Sequence, residues 1–294
     1  MPRLLITLGD PAGIGPEVID AALATGDFPH HCTLDVLGNR SAGTPGKPSQ
    51  QSAAAALEAL HQAAVALRDG HADAVVTGPV CKDSLMKLGF TFPGQTEFFA
   101  HAFGIRNYAM LLTGNTLTVG LATIHEPLAA VPALLNEDLI VRCGLLTADF
   151  LTRRGILSPR IAVAGLNPHA GENGAFGNEE QLIINPATAR LQQTAVASFH
   201  GPCVPDAVFR DAASGHYDAV IAMYHYQGLI PLKLLDFDNA VNVTLGLPRP
   251  RVSPDHGTAF GIAGKGIANP SSMISAIRLA CELSTSTAEF PLPG

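Results

Sequence analysis

Three histidines stand just beyond short apolar runs: His125 in VGLATIHEPL, His169 in IAVAGLNPHAGE and His225 in AVIAMYHYQG. Runs of this kind read as buried strands, and an imidazole at the end of a buried strand is a common way to hold a divalent metal over a cleft. Each is followed by small or turn-forming residues that leave room for a ligand. Any one of these histidines alone would read as structural or solvated. Three in matching settings point to a metal-assisted active site.

A second group carries charge and amide functions. Lys233, Asn242 and Arg251 are spaced through PLKLLDFDNAVNVTLGLPRPR, around a run that should be buried. A cation, an amide and a guanidinium near one strand can clamp a carboxylate or phosphate, with the arginine binding it through two parallel hydrogen bonds; solvated loop charges are the plainer alternative. Lys82, which ends TGPVCK just past the third strand-like run, reads equally as a solvated helix-start lysine or a catalytic group. In ITLGDPAGIGPE the glycines 9, 13 and 15 mark a tight strand-to-helix turn without the full G-x-G-x-x-G spacing of a dinucleotide site. Asp10 and Glu17 in that stretch are turn or capping residues, or polar groups of a cleft. The run SPDHGTA around His256 reads as a helix start able to face an anion. His30, His31, His61, His71, His101, His200 and His216 lack such settings and read as helix or loop residues.

Elements that could position these groups are legible in the periodicity. Strand-like LLITLGD, TLDVLG and ADAVVTGP alternate with helical PEVIDAALATG, an Ala-rich segment and CKDSLMKLG, the order of right-handed crossover units in a largely parallel sheet. Leu57, Leu60, Ala64 and Leu67 recur at helical spacing in a segment from Ser49 to Gly70, and GNRSAGTPGKPSQ before it is a loop. YAMLLTG and TLTVGLAT flank Gly-Asn, which predicts an antiparallel hairpin. After two more helical runs come IAVAGLNP, DAVIAMYH and VNVTLGLP as strands, and Met273, Ile274, Ile277, Ala280 and Cys281 share one face of a terminal helix. The expectation is an α/β protein of two α/β/α lobes with a cleft between them. The first lobe comprises residues 1–90 plus about 258–294, and the second, with a mixed sheet, about 91–257.

Composition excludes several classes. The chain of 294 residues is 47% hydrophobic, enough for a sizeable core, and its 18 Lys and Arg against 25 Asp and Glu leave a net charge of −7. That argues against a nucleic-acid partner. Five scattered cysteines without a C-x-x-C pair indicate neither a disulfide framework nor a zinc finger and suit a reducing cytoplasm. Met1 runs straight into a strand and no run of about 18 apolar residues occurs, so neither a leader nor a membrane span is expected.

Taken together, LGDPAGIGPE, TGPVCK, FPGQTEFF, ATIHEPL, GLNPHAGE, PDAVF, MYHYQG, VNVTLGLP and SPDHGTAF resemble the 4-hydroxythreonine-4-phosphate dehydrogenase family of pyridoxal phosphate synthesis over nearly the whole chain. The resemblance implies an isocitrate- or isopropylmalate-dehydrogenase-like fold, a homodimer with active sites at its interface, NAD or NADP, and a divalent zinc, magnesium or cobalt ion held by His125, His169 and His225. It also implies substrate contacts from Thr96, Lys233, Asn242 and Arg251, and with them Gln95. The implied reaction oxidises 4-phosphohydroxy-L-threonine to a β-keto acid that loses carbon dioxide, giving 3-amino-2-oxopropyl phosphate, with Lys82 and Asp10 as proton-transfer candidates. Gln95 stands where the family usually has histidine, so it can hydrogen-bond a phosphate but brings no charge. Tyr226 stands where the family usually has aspartate, removing a carboxylate able to orient a ligand imidazole. The segment between Gly38 and Gly43 is shorter than the family pattern. Alternatives are a dehydrogenase of another phosphorylated hydroxy acid or of a dihydrodiol carboxylate, a catalytically impaired metabolite-binding protein, and a metal-dependent hydrolase or lyase without NAD.

Overall fold

The computed structural model describes residues 1–29 and 31–285; His30 and the end of the expected first lobe, 286–294, lie outside them. In chain order the first elements are β1 (Arg3–Thr7), α1 (Gly15–Ala24), β2 (Thr33–Leu37), α2 (Gln50–Arg68), β3 (Ala74–Thr77), α3 (Lys82–Met86) and α4 (Gln95–Ala102). There follow β4 (Ala109–Thr113), β5 (Thr118–Leu121), α5 (Val131–Leu134), α6 (Glu137–Arg153), β6 (Arg160–Ala164), α7 (Asn185–Gln192), β7 (Ser198–Cys203), α8 (Pro205–Ala213) and β8 (Ala219–Ala222). The chain closes with α9 (His225–Asp236), β9 (Val241–Leu245), β10 (Arg251–Pro254) and α10 (Ser271–Thr285). The protein is α/β, as expected.

One compact unit comprises Met1–Arg106, Asp238–Val243 and Leu247–Thr285. Its strands run in the order β2-β1-β3-β10-β9, and β1 pairs in parallel with both β2 and β3, as β3 does with β10. The unit extends past residue 90 because Phe98 and Phe99 of α4 enter the same core as Leu60 and Leu67 of α2, Val75 of β3 and Leu247. Helix α2 forms because alanines and leucines alternate at steps of three and four, and because Ser49 and Ser52 exchange side-chain-to-backbone hydrogen bonds at its start, each 3.1 Å. Leu57, assigned to the buried face, is only partly covered; Ala53 and Ala56 carry that face instead. The turn from β1 to α1 depends on Gly15, where a Cβ would lie 2.0 Å from the Leu8 carbonyl oxygen.

The second unit comprises, among the described residues, Asn107–Phe237 and Thr244–Gly246. Its strand order is β4-β5-β8-β6-β7. β4 and β5 form the expected antiparallel hairpin, whereas β5 with β8, β8 with β6, and β6 with β7 are parallel. The hairpin turn is pinned from outside: the buried Asp236 carboxylate, last in α9, accepts the N–H groups of Asn115, Thr116 and Leu117 at 3.1, 2.9 and 3.0 Å. Gly114 makes room, since a Cβ there would sit 2.4 Å from the Asp236 side chain.

Helix α9 was not foreseen. Its start lies inside the stretch read as the end of a strand, Pro231 sits in its interior, and its apolar residues fall on both buried and exposed sides, so no single period shows.

Asp236→Ala would leave three N–H donors without an acceptor. A loss of about 3 kcal/mol in urea unfolding is expected, with accelerated amide exchange at Asn115, Thr116 and Leu117. Unchanged protection there would contradict the pinning.

Candidate functional site

Parallel pairing brings the carboxyl ends of β5, β8 and β6 side by side, with Leu121 opposite Ala222 and Val163 opposite Ile221. Two links carry the alignment past the strand ends. The Thr123 hydroxyl donates to the Met223 carbonyl at 2.7 Å. The Gln227 side chain accepts the Met223 N–H and donates to the Gly165 carbonyl, both at 2.7 Å. Residues 123, 165 and 223 are thereby tied together just before the three histidines.

His125 lies in the loop after β5 and His225 is the first residue of α9; their ring centroids are 5.8 Å apart. Both line a cavity of about 340 Å³ with Ile124, Glu126, Tyr224 and Tyr226. The Tyr226 ring stands edge-on to His225 at 5.7 Å and is largely exposed. His169 is exposed, in the turn after β6, with its ring 5.8 Å from Phe176. Among the described residues no three His, Cys, Asp or Glu side chains gather closely enough to hold a metal ion. The structure thus brings two of the three histidines together.

The turn holding His169 is strained. His169, Ala170, Gly171, Glu172 and Asn173 all have positive φ, from 40° to 79°, and the left-handed conformation costs each non-glycine residue roughly 1–2 kcal/mol. A buried carboxylate holds the residues that lead into this turn. Glu180 accepts the N–H groups of Leu166 and Asn167, both at 2.8 Å, and the Asn167 side-chain amide at 3.0 Å. Burial pushes the Glu180 carboxyl up, but the hydrogen bonds from Asn167 and Leu166 outweigh it and hold the group below its ordinary value.

In the other unit, Arg251 at the start of β10 is buried. Its guanidinium donates to the Thr77 hydroxyl at 2.5 Å and to the Gln95 side-chain oxygen at 2.8 Å, and stacks 5.6 Å from the Phe99 ring centroid. Burial draws its pKa down to about 9, opposed by the Glu97 charge, so it is cationic at neutral pH. Gln95 therefore commits its acceptor to the arginine. Thr96 is buried beside it on α4. Asn242 on β9 and Asp10 each keep one buried side-chain oxygen with no hydrogen-bond partner among the described residues, the condition expected of groups completed by a ligand. The other Asp10 oxygen accepts the Ala12 N–H at 3.0 Å, so Asp10 also shapes the turn before α1. Lys82, first in α3, is exposed. Lys233 belongs to the histidine-bearing unit, on α9, with its ammonium 6.0 Å from the Phe237 ring centroid.

His256 does not begin a helix. Residues 256–270 are irregular, with a turn only at 260–264, and Gly257, Gly261, Gly264, Gly266 and Pro270 break the run; the His256 Nδ1 lies 3.2 Å from the Gly257 carbonyl oxygen. Sequence reasoning missed Thr123, Glu180 and Gln227, whose types are equally at home on a surface. Only the Gly-rich run before the Glu-Glu pair hints at a backbone wrapped around a side chain.

The family model described as pyridoxal phosphate biosynthetic protein PdxA matches residues 17–280. The chain belongs to this family. A relative from Erythrobacter litoralis named 4-hydroxythreonine-4-phosphate dehydrogenase is 43% identical over an alignment of 329 residues that covers 97% of this chain and 98% of the relative. That alignment exceeds the 294 residues of this chain, so the relative carries residues with no counterpart here. A solved structure described as a putative 4-hydroxythreonine-4-phosphate dehydrogenase from Salmonella typhimurium is 37% identical, with a TM-score of 0.82 and coverage of 96% and 99% of the two chains. A terephthalate 1,2-cis-dihydrodiol dehydrogenase from Burkholderia xenovorans is 28% identical, with a TM-score of 0.69 and coverage of 96% and 98%. Isocitrate dehydrogenase from Methylococcus capsulatus, at 16% identity and a TM-score of 0.58 over 96% of this chain and 88% of that one, shares the fold.

Protonation should release the His169 turn. Because the Glu180 carboxyl is held below its ordinary value of 4.5, its contribution to stability is complete above that pH and is lost as pH falls through the lowered value. Urea midpoints of the wild type and Glu180→Gln should therefore differ most at neutral pH and converge on acidification. A gap that stays constant to pH 3 would contradict the assignment.

Proposed function

We propose that the chain is a 4-hydroxythreonine-4-phosphate dehydrogenase that oxidises 4-phosphohydroxy-L-threonine with NAD or NADP and a divalent metal, giving a β-keto acid that decarboxylates to 3-amino-2-oxopropyl phosphate. Full-length similarity to relatives of that name carries the reading, and a charged arginine built into the core is consistent with an anionic substrate. His125 and His225, as neutral nitrogen donors, suit a zinc or cobalt ion, whereas magnesium would take its ligands mainly from oxygen; His169 would complete the set. A bound ion would supply Lewis-acid polarisation of the substrate oxygen, and a nicotinamide cofactor would supply the hydride acceptor.

The chain's own residues then have separable tasks. Arg251, aimed by Thr77 and Gln95, binds the phosphate or carboxylate, with Thr96, Asn242 and Lys233 as further substrate contacts. Asp10, through its unpartnered oxygen, and Lys82 are the candidates for taking the hydroxyl proton and for returning one to the carbon left by carbon dioxide. A second cavity of about 580 Å³, lined by Ser49, Gln50, Cys81, Ser84, Lys87 and Phe260, has the size of a small-molecule site and suits part of the dinucleotide. Exposed Tyr226, Ile230, Leu234 and Phe237 on and just past α9 form an apolar face, continuous with the histidine cavity through Tyr226. We assign that face to a second copy of the chain, in a homodimer whose sites lie at the interface. Among the described residues no helix is long and apolar enough to cross a membrane, and the proposed place of action is the cytoplasm.

Two observations support a second reading. Gln95 brings no charge to the anion site, and the dihydrodiol dehydrogenase is a near-full-length structural neighbour; a cyclic dihydrodiol carboxylate would use the same chemistry with a weaker anion clamp.

Chelator-treated protein should form NADH from 4-phosphohydroxy-L-threonine and NAD only after a divalent ion is restored. Arg251→Lys, which keeps the charge but loses the planar fork, should raise KM for this substrate roughly tenfold or more. Turnover of a dihydrodiol carboxylate alone would favour the second reading, and no NADH from either substrate would refute both.

A further inference from the structure

Two thiols far apart in the chain meet in the first unit. Cys281 is buried on α10, and Cys32, half-buried, stands just before β2; their side chains share a hydrogen bond. The contact is held from both sides. Around Cys32 the backbone is fixed by its own N–H, which donates to the Pro29 carbonyl at 3.1 Å, and by the Thr33 N–H, which donates to the Pro2 carbonyl at 2.9 Å. One turn before Cys281, on the same side of α10, Arg278 donates from Nε to the Asp27 carbonyl at 3.3 Å and pairs with the Asp27 carboxylate. The chain leading into the edge strand β2 is thereby fastened to α10 beside the thiols. At its other end α10 is tied to the strands of the arginine site. The Ser272 hydroxyl donates to the Ala240 carbonyl at 2.6 Å, just before β9, and accepts the Asp255 N–H at 3.0 Å, just after β10. Among the described residues no third His, Cys, Asp or Glu joins the two thiols to hold a metal, so the chemistry open to the pair is thiol oxidation.

We propose that Cys32 and Cys281 form a modification site, converted reversibly by low-molecular-weight disulfides such as glutathione disulfide into a disulfide that staples α10 to the start of β2. Cys32 is the sulfur that a reagent reaches. Its thiolate attacks one sulfur of glutathione disulfide, the glutathione S–S bond breaks and one glutathione thiolate leaves; Cys281 then gives its proton to solvent and attacks the Cys32 sulfur, expelling the second glutathione. Two protein thiols are oxidised, and one glutathione disulfide is reduced to two thiols. Burial, together with the neighbouring Cys32 thiol, pushes Cys281 up to about 12, so it is protonated at neutral pH and resolves the mixed disulfide rather than starting the exchange. In a reducing compartment the pair stays reduced, and the staple forms when the thiol pool is oxidised. Because it closes a loop spanning most of the chain, it restricts the unfolded state and so secures the helix to which the strands bearing Asn242 and Arg251 are tied.

The test incubates the full-length protein with glutathione disulfide and reads the product by peptide mass spectrometry without reduction and by urea unfolding. A peptide cross-linked through Cys32 and Cys281 should appear and should vanish on treatment with dithiothreitol. The oxidised protein should unfold at a urea concentration higher than the reduced one by roughly 0.5 M or more. Cys281→Ala should lose both the cross-link and the shift; because that position is in the core, Cys32→Ser, at the half-buried position, makes the same test if Cys281→Ala folds poorly. Cys81→Ser and Cys203→Ser, which remove the other half-buried thiols, should keep both. No reaction with glutathione disulfide, a lasting glutathione adduct on Cys32 beside a free Cys281 thiol, a cross-link to a different cysteine, or an oxidised wild type with an unchanged midpoint would overturn the proposal.

Discussion

Everything proposed for the histidines depends on three strands, β5, β8 and β6, running in parallel and in register. Parallel neighbours end on the same side, so the residues following each strand emerge together wherever the ladder is not slipped. Residues 119–121, 219–222 and 161–164 are buried on both faces of the sheet, so their register rests on how large and small side chains fit together rather than on a polar face. Beyond the last ladder bond, Thr123 and Gln227 continue the work with side chains. These links are cheap in sequence, one hydroxyl and one amide, and they fix where three loops begin.

The arginine site is built differently. A buried guanidinium is costly unless it is hydrogen-bonded and countered by charge. Thr77, Gln95 and the ring of Phe99 satisfy part of that need, and the influence of Glu97 opposes the desolvation. Desolvation still leaves the pKa near 9, so binding an anion would relieve an unfavourable burial as well as form a contact. This also explains how glutamine serves at position 95: its oxygen orients the cation, a task that a protonated imidazole, which has no acceptor, could not perform.

Periodicity exposed the elements with one clear period. Helices α2, α6 and α10 and the Gly-Asn hairpin appear where expected, because each has a face or turn written in adjacent residues. Helix α9 was hidden by Pro231 and by apolar residues that face away from the core, and β7 by its Gly-Pro pair. Candidate residues were legible by type, and their environments were not. Nothing in the sequence separates Glu180, nearly inaccessible, from its half-covered neighbour Glu179, or shows that His169 sits in a left-handed turn. Those properties come from contacts between residues distant in sequence.

The central claim is that His125, His169 and His225 converge on one ion. X-ray absorption at the metal edge of the zinc- or cobalt-loaded protein tests it most directly, because the outer-shell scattering of imidazole rings counts them. The account predicts three imidazoles in the wild type and two in His169→Ala. A wild-type site with fewer than three imidazoles, or a count unchanged by removing His169, would contradict it.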